Sequence, residues 1–185
     1  MKNPLIVAFL MLLVTGCSTI APKYNTDFNN ISQLRREKLN PVRVGVVTKE
    51  TATGSSSDVD KLDIRGGSYV SPYGSYTAYL AEALKQELDD ARLLDPMSQI
   101  EVSAVLLRNE LNTGLSTAEA EIEARFIVRI AGTIKFDKIK GARHTWESHF
   151  VGAIAIPKAQ QNYPIVIQKL VGQLFSDPEF ISALK

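Results

Sequence analysis

Glu119-Ala120-Glu121-Ile122-Glu123-Ala124-Arg125-Phe126-Ile127-Val128-Arg129-Ile130-Ala131-Gly132-Thr133-Ile134-Lys135-Phe136 decides the fold. Ile122, Ala124, Phe126, Val128, Ile130, Ile134 and Phe136 stand at even positions, with Gly132 among them. Glu121, Glu123, Arg125, Arg129, Thr133 and Lys135 stand at odd ones. Successive side chains of a strand point to opposite faces, so this period predicts one long strand with a buried and a wet face.

Working outward, Lys138 to Gly141 reads as a turn. Thr145 to Ile156 reads as a returning strand with Trp146, Phe150, Ile154 and Ile156 on its core side. Upstream, Ile100 to Leu107 is apolar on both faces near its centre, and short connections make these three strands antiparallel neighbours. The β-branched Val42-Arg43-Val44-Gly45-Val46-Val47 predicts a first strand. Between it and Ile100, Tyr76, Leu80, Ala83, Leu84, Leu88 and Ala91 repeat at helical spacing within Ser75 to Arg92. After Pro157, Tyr163, Val166, Ile167, Leu170, Val171 and Leu174 form a second helical stripe, and Asp177-Pro178-Glu179 reads as the cap and first turn of a short last helix. The expected order is β-α-β-β-β-α-α. This is an α+β fold, with a mainly antiparallel four-stranded sheet and two helices packed on one face.

The chain has 185 residues, enough for a single domain. Apolar residues are 45% and charged residues 22%, ordinary for a globular protein. A formal charge of +1 excludes a strongly basic nucleic-acid binder, and a single cysteine excludes an intrachain disulfide and any cysteine-based zinc site.

That cysteine closes an address. Lys2 supplies a positive start, Leu5 to Val14 an apolar run, and Thr15 and Gly16 small residues before Cys17. The run is too short to span a bilayer as a helix. Val14-Thr15-Gly16-Cys17 resembles the lipobox of bacterial lipoproteins. The resemblance implies cleavage between Gly16 and Cys17 and lipidation of Cys17. Ser18, where aspartate is absent, implies by the sorting habit of Gram-negative lipoproteins an outer-membrane anchor, with the domain expected to face the periplasm. The expected organisation is a signal peptide over 1–16, lipidated Cys17 and a tether over 17–41, and one domain over 42–185 with a long loop at 49–72.

His144 and His149 are an odd number of residues apart on one expected strand, hence on opposite faces. No Gly-x-Ser-x-Gly and no Gly-x-x-x-x-Gly-Lys occurs. Ser55, Ser56 and Ser57 have no neighbouring base in sequence. Asp58, Asp60 and Asp63 lack the glycine and terminal glutamate of a calcium loop. Glu119, Glu121 and Glu123 read as a solvated strand face. The expectation is no catalytic residue, no metal and no cofactor beyond the lipid on Cys17.

Two features suit recognition. One is the loop leading into Tyr69, Tyr73, Tyr76 and Tyr79, since tyrosine offers large area with a polar tip. The other is the open face of the sheet, with Ile127 among Arg125, Arg129, His149 and Lys135. Tyr69, Tyr73, Ile127, Arg129 and His149 are the expected partner-binding residues.

The lipobox, the helix Tyr76-Thr77-Ala78-Tyr79-Leu80-Ala81-Glu82-Ala83-Leu84, the long strand from Glu121 to Phe136 and Phe150-Val151-Gly152-Ala153 before a helix give the chain a resemblance. It resembles small Gram-negative envelope lipoproteins of the YajG-like and ABC-type transport auxiliary kinds. The resemblance implies a tethered accessory of an envelope transport, secretion or assembly complex, with the membrane and a protein complex as partners and no transferable catalytic residues. A phospholipid carrier and a self-assembling oligomer of a secretion pore are the alternatives.

Overall fold

The computed structural model describes residues 18–50 and 58–185. The signal peptide, Gly16, Cys17 and the Ser-rich tip of the loop lie outside the described residues.

The deciding stretch is two strands, not one. β6 (Thr117–Ile130) and β7 (Thr133–Glu147) are the arms of a hairpin in which Ile130 pairs with Thr133. Ala131 (φ 46°) and Gly132 (φ 83°) form the turn. Positive φ at both central residues is the tight-turn geometry whose twist matches that of the flanking strands. Such a turn puts Ile130 and Thr133 on one face and so inverts the parity of the sequence. A bulge where Val128 pairs with Phe136 but Arg129 with Ile134 inverts it back. Two inversions leave Phe136 in the core at an even position, which is why the alternation reads as unbroken. Ile134, between them, is exposed.

The expected turn at Lys138 to Gly141 is therefore mid-strand. The expected strand from Thr145 to Ile156 ends at Glu147, and α3 (Gly152–Phe175) begins five residues before Pro157. Pro157 and Pro164 both lie inside that helix and lack the N–H that would bond four residues back. Phe150 and Ile154, expected in the core, are exposed.

β5 (Ile100–Thr113) pairs antiparallel with β6, and β2 (Arg43–Lys49) pairs parallel with β5 at the edge of the sheet. The order is β2-β5-β6-β7, a mixed sheet with two antiparallel pairings of three. The parallel pairing needs a crossover, and α2 (Tyr76–Asp90) provides it. Its first N–H groups are satisfied by two side chains: Ser75 accepts from the Ala78 amide, and Asp60 accepts from those of Tyr76 and Thr77.

A second sheet was not expected. β1 (Ser18–Ile20), β3 (Leu62–Ile64) and β4 (Gly67–Val70) form it in the order β1-β4-β3, with β1 parallel to β4. The expected tether is thus corrected from Ser18 onward. It contributes β1, then α1 (Phe28–Arg36), a short helix that the near-helical spacing of Phe28, Ile31 and Leu34 allows, and it buries Ala21, Tyr24, Ile31 and Leu34. Asp27 caps α1 by accepting from Asn29 and Asn30. The expected loop at 49–72 likewise contains β3 and β4.

The helices bury one face of the large sheet. Val102, Ala104, Leu106, Ala124, Phe126 and Val128 pack with Leu80, Leu84, Leu88, Val166, Leu170 and Leu174. Each fully buried leucine or phenylalanine contributes about 1.5–3 kcal/mol. α4 (Pro178–Ala183) closes the end, with Phe180 edge-on to Phe136.

Candidate functional site

The helical face is filled, in large part, by tyrosine. All six tyrosines of the chain join one cluster. Tyr79 meets Tyr24, Tyr73 and Tyr163 edge-on, and Tyr163 meets Tyr69 and Tyr76 likewise. Such edge-to-face pairs add about 0.5–1.5 kcal/mol beyond buried area. Burial above all pushes the phenols of Tyr24, Tyr69, Tyr76, Tyr79 and Tyr163 up from their ordinary value. Tyr76 donates to the Tyr69 carbonyl, Tyr79 to the Pro22 carbonyl and Tyr163 to Asn109.

This corrects the first recognition feature. Tyr69 is buried, and its hydroxyl finds no partner among the described residues. Tyr73 is half-buried, and its hydroxyl accepts from the Tyr24 amide. Both are packing residues. The spacing of the tyrosines fits packing over the start of the helix as well as it fits recognition, and the segment 18–27 that packs beside them reads as polar.

Glu87 is buried in the same layer and was not singled out by the sequence. Its Oε1 accepts from the Tyr24 hydroxyl at 2.6 Å, the Asp27 amide at 2.9 Å and Asn30 at 3.2 Å. Its Oε2 is buried without a partner among the described residues. Burial raises its pKa above the ordinary value against those hydrogen bonds, which favour the charged form. Its three partners all belong to the N-terminal segment, so Glu87 acts as a latch for that segment.

The second recognition feature is brought together. Ile127 and Arg129 line a hollow of about 230 Å³ on the open face with Val46, Glu101, Ser103 and Val105. Arg129 donates to Ser103 at 2.9 Å, and Arg43 pairs with Glu101 at 2.6 Å. Around the hollow run cross-strand pairs, Arg125 with Asp137, Arg108 with Glu121 and Arg143 with Glu119. Val46 is 74% exposed and Ile139 54%, so the face offers apolar area between ordered charges. His149 does not belong to it. It lies beyond the end of β7, where its Nδ1 accepts from the Val151 amide and its ring stacks on Phe150.

The remaining candidates are structural. His144 lies between Asn162 at 2.9 Å and Lys169 at 3.0 Å. The lysine donates to Nδ1, which leaves Nε2–H to donate to Asn162. Asp58 pairs with Lys49, Asp60 caps α2, and Glu119 and Glu121 pair with arginines. No group of three or more potential metal ligands occurs among the described residues. A cavity of about 650 Å³ between α1, α3 and β7 is lined largely by polar side chains, including Asn30, Gln33, Arg143, Gln168 and Lys169.

No family model and no curated protein matches this chain. Among solved structures, the chain is similar to a DUF330 protein from Xanthomonas campestris, with a TM-score of 0.54 and 12% identity over 84% of this chain and 93% of that one. It is also similar to a hypothetical protein from Chlamydia trachomatis, with a TM-score of 0.50 and 12% identity over 78% of this chain and 99% of that one. At these identities the likeness is one of fold. A minor lipoprotein from Acinetobacter baumannii matches at a TM-score of 0.42 and 14% identity over 76% of this chain and 92% of that one. No helix among the described residues is long and apolar enough to cross a membrane.

Proposed function

We propose that this chain is an outer-membrane lipoprotein, anchored through Cys17 and facing the periplasm. In this reading it serves without catalytic chemistry as an accessory that docks onto an envelope transport, secretion or assembly complex. The observation that carries the docking reading is the open sheet face. Helices bury the other side of β2-β5-β6-β7, while this side keeps an apolar hollow at Val46, Val105 and Ile127 rimmed by Arg129 and Glu101. A surface of that kind, apolar at its centre and charged at its margin, suits a protein partner. It adjoins the edge strand β2, which among the described residues pairs with β5 alone and so offers its other edge for strand addition.

A photo-crosslinking residue at Val46 or Ile139, in the full-length chain within its own envelope, tests this. The expected result is a discrete protein adduct from both positions and none from Phe28, which is exposed on α1. Equal labelling at all three sinks the reading. Adducts made to a second copy of the chain turn it to the self-assembling alternative. The polar lining of the cavity between α1, α3 and β7 is a poor match for acyl chains, which weighs against the phospholipid carrier.

A further inference from the structure

One end of the molecule carries apolar side chains that no described element covers. Phe150 and Leu115 are each 71% exposed and Ile20 is 60% exposed, with Val151 and Ile154 also open. They come from the β7–α3 connection and the first turn of α3, the β5–β6 hairpin tip, and β1. A single residue gathers two of these. Arg65, in the β3–β4 turn, donates to the Gly114 carbonyl at 2.8 Å and to the His149 carbonyl at 2.6 Å. The Ser148 amide adds a bond to the Ser116 carbonyl at 2.8 Å.

The first described residue emerges at the same end. Ser18 pairs with Ser68, next to Gly67, which closes the turn that contains Arg65. A second measure agrees. Gln160 of α3 donates to the Ile20 carbonyl and Gln168 to the Asn25 carbonyl, so the segment runs alongside α3 in the same direction. Traced back from Ile20, it heads for the start of α3, where Val151 and Ile154 lie. Cys17 follows by one peptide bond, which sets its Cα about 3.8 Å from that of Ser18. An acylated Cys17 therefore leaves no length of chain to hold the body off the bilayer.

We infer that this pole is seated on the lipid surface, with Phe150, Leu115, Val151, Ile154 and Ile20 entering the headgroup boundary around the anchor. Exposed apolar side chains grouped at one end are what interfacial seating requires, and the aromatic ring of Phe150 is suited to that depth. The strands of the large sheet then stand away from the membrane, because β5 and β6 run from this pole to the Ala131-Gly132 turn, roughly 45 Å off. Met97, 84% exposed just before β5, marks the far end. The inference rests on the lipid anchor proposed above and adds the orientation of the body.

The test uses the full-length, lipidated chain in vesicles of phosphatidylethanolamine and phosphatidylglycerol. Acylation consumes the one native thiol, so Phe150→Cys, Leu115→Cys and Met97→Cys each carry a single labelling site for an environment-sensitive fluorophore. All three positions are exposed, so the label leaves the core intact. Co-flotation with vesicles and the acyl mass on Cys17 test the anchor first, and their failure removes both readings. Given flotation, labels at 150 and 115 should be quenched several-fold more strongly by a lipid-borne quencher than the label at 97. Equal quenching at 150 and 97 overturns the seating while leaving the anchor intact. Labels that stay aqueous on vesicles but become shielded in the native envelope assign the pole to a protein and overturn it as well.

Discussion

Replacing Glu87 by alanine should release the N-terminal segment before it disturbs the sheet. Glu87 is the acceptor for the Tyr24 hydroxyl, the Asp27 amide and the Asn30 side chain. Asn30 keeps a second acceptor, the Gln168 carbonyl at 3.0 Å, so its loss is small. Tyr24 is buried and its hydroxyl has no other acceptor among the described residues, which leaves an unmet donor worth about 1–3 kcal/mol, and the half-buried Asp27 amide adds about 1. Removal of a buried carboxylate with one unpartnered oxygen offsets part of this. The net expectation is a loss of about 1–3 kcal/mol at neutral pH, read as the shift in urea midpoint. Amide exchange should accelerate at 21–31 more than at the strands β5 and β6. The pH dependence carries a defined sign. A carboxyl whose native pKa is raised keeps its proton longer in the folded state, so between the unfolded and folded values the native protein binds more protons. Stability therefore falls as pH rises through that window, and the cost persists above it. Glu87→Gln keeps the accepting oxygen and should abolish that slope. A loss under about 0.5 kcal/mol in the alanine variant, or an unchanged slope in the glutamine variant, would refute the latch.

Ala131→Asn should stabilise the domain by about 1 kcal/mol, because asparagine tolerates the positive φ that alanine holds there at a cost; thermal denaturation reads it. Burial works to raise the Asp177 carboxyl, but Lys140, the Glu179 amide and Lys138 outweigh it and hold its pKa at about 2. That contribution is full above the ordinary carboxylate value and is lost as pH falls toward about 2, so Asp177→Asn should flatten the acid limb of the stability profile. Arg65→Ala should cost about 2 kcal/mol, since two carbonyls lose a charged donor. It should also speed amide exchange at Ser148, with no matching change at Ala131 at the far end of the sheet.

The amphipathic helix at Tyr76–Asp90 and the apolar stripe of α3 were legible because a 3.6-residue period needs no knowledge of the partner surface. The strand content was legible for the same kind of reason, but its division was not. Ala131-Gly132 is a turn only because both residues hold positive φ, and the bulge at Lys135 hid the turn by restoring parity. Alanine at a left-handed position carries no sequence signal. Pro157 misled in the opposite direction, since a proline inside a helix is disfavoured locally and is here retained by the packing of Ala159, Tyr163 and Val166. Of the expected binding residues, Ile127 and Arg129 share one face because strand alternation alone puts them there. Tyr69 was misplaced because burial depends on what lies over a residue.

Periodicity along the chain was enough to establish the α+β class, the two amphipathic helices and the buried face of β6. These are local matters, since periodicity, caps and short motifs act within a few turns of chain. The tertiary structure decided what depends on distant partners. It brought six scattered tyrosines into one cluster and latched residues 24–30 to Glu87. It put β2 at an edge in parallel register and drew Arg65, Gly114 and His149 to one pole. Each of these joins residues far apart along the chain, and such a pairing is fixed by the free energy of the whole packed domain rather than by the preferences of either partner.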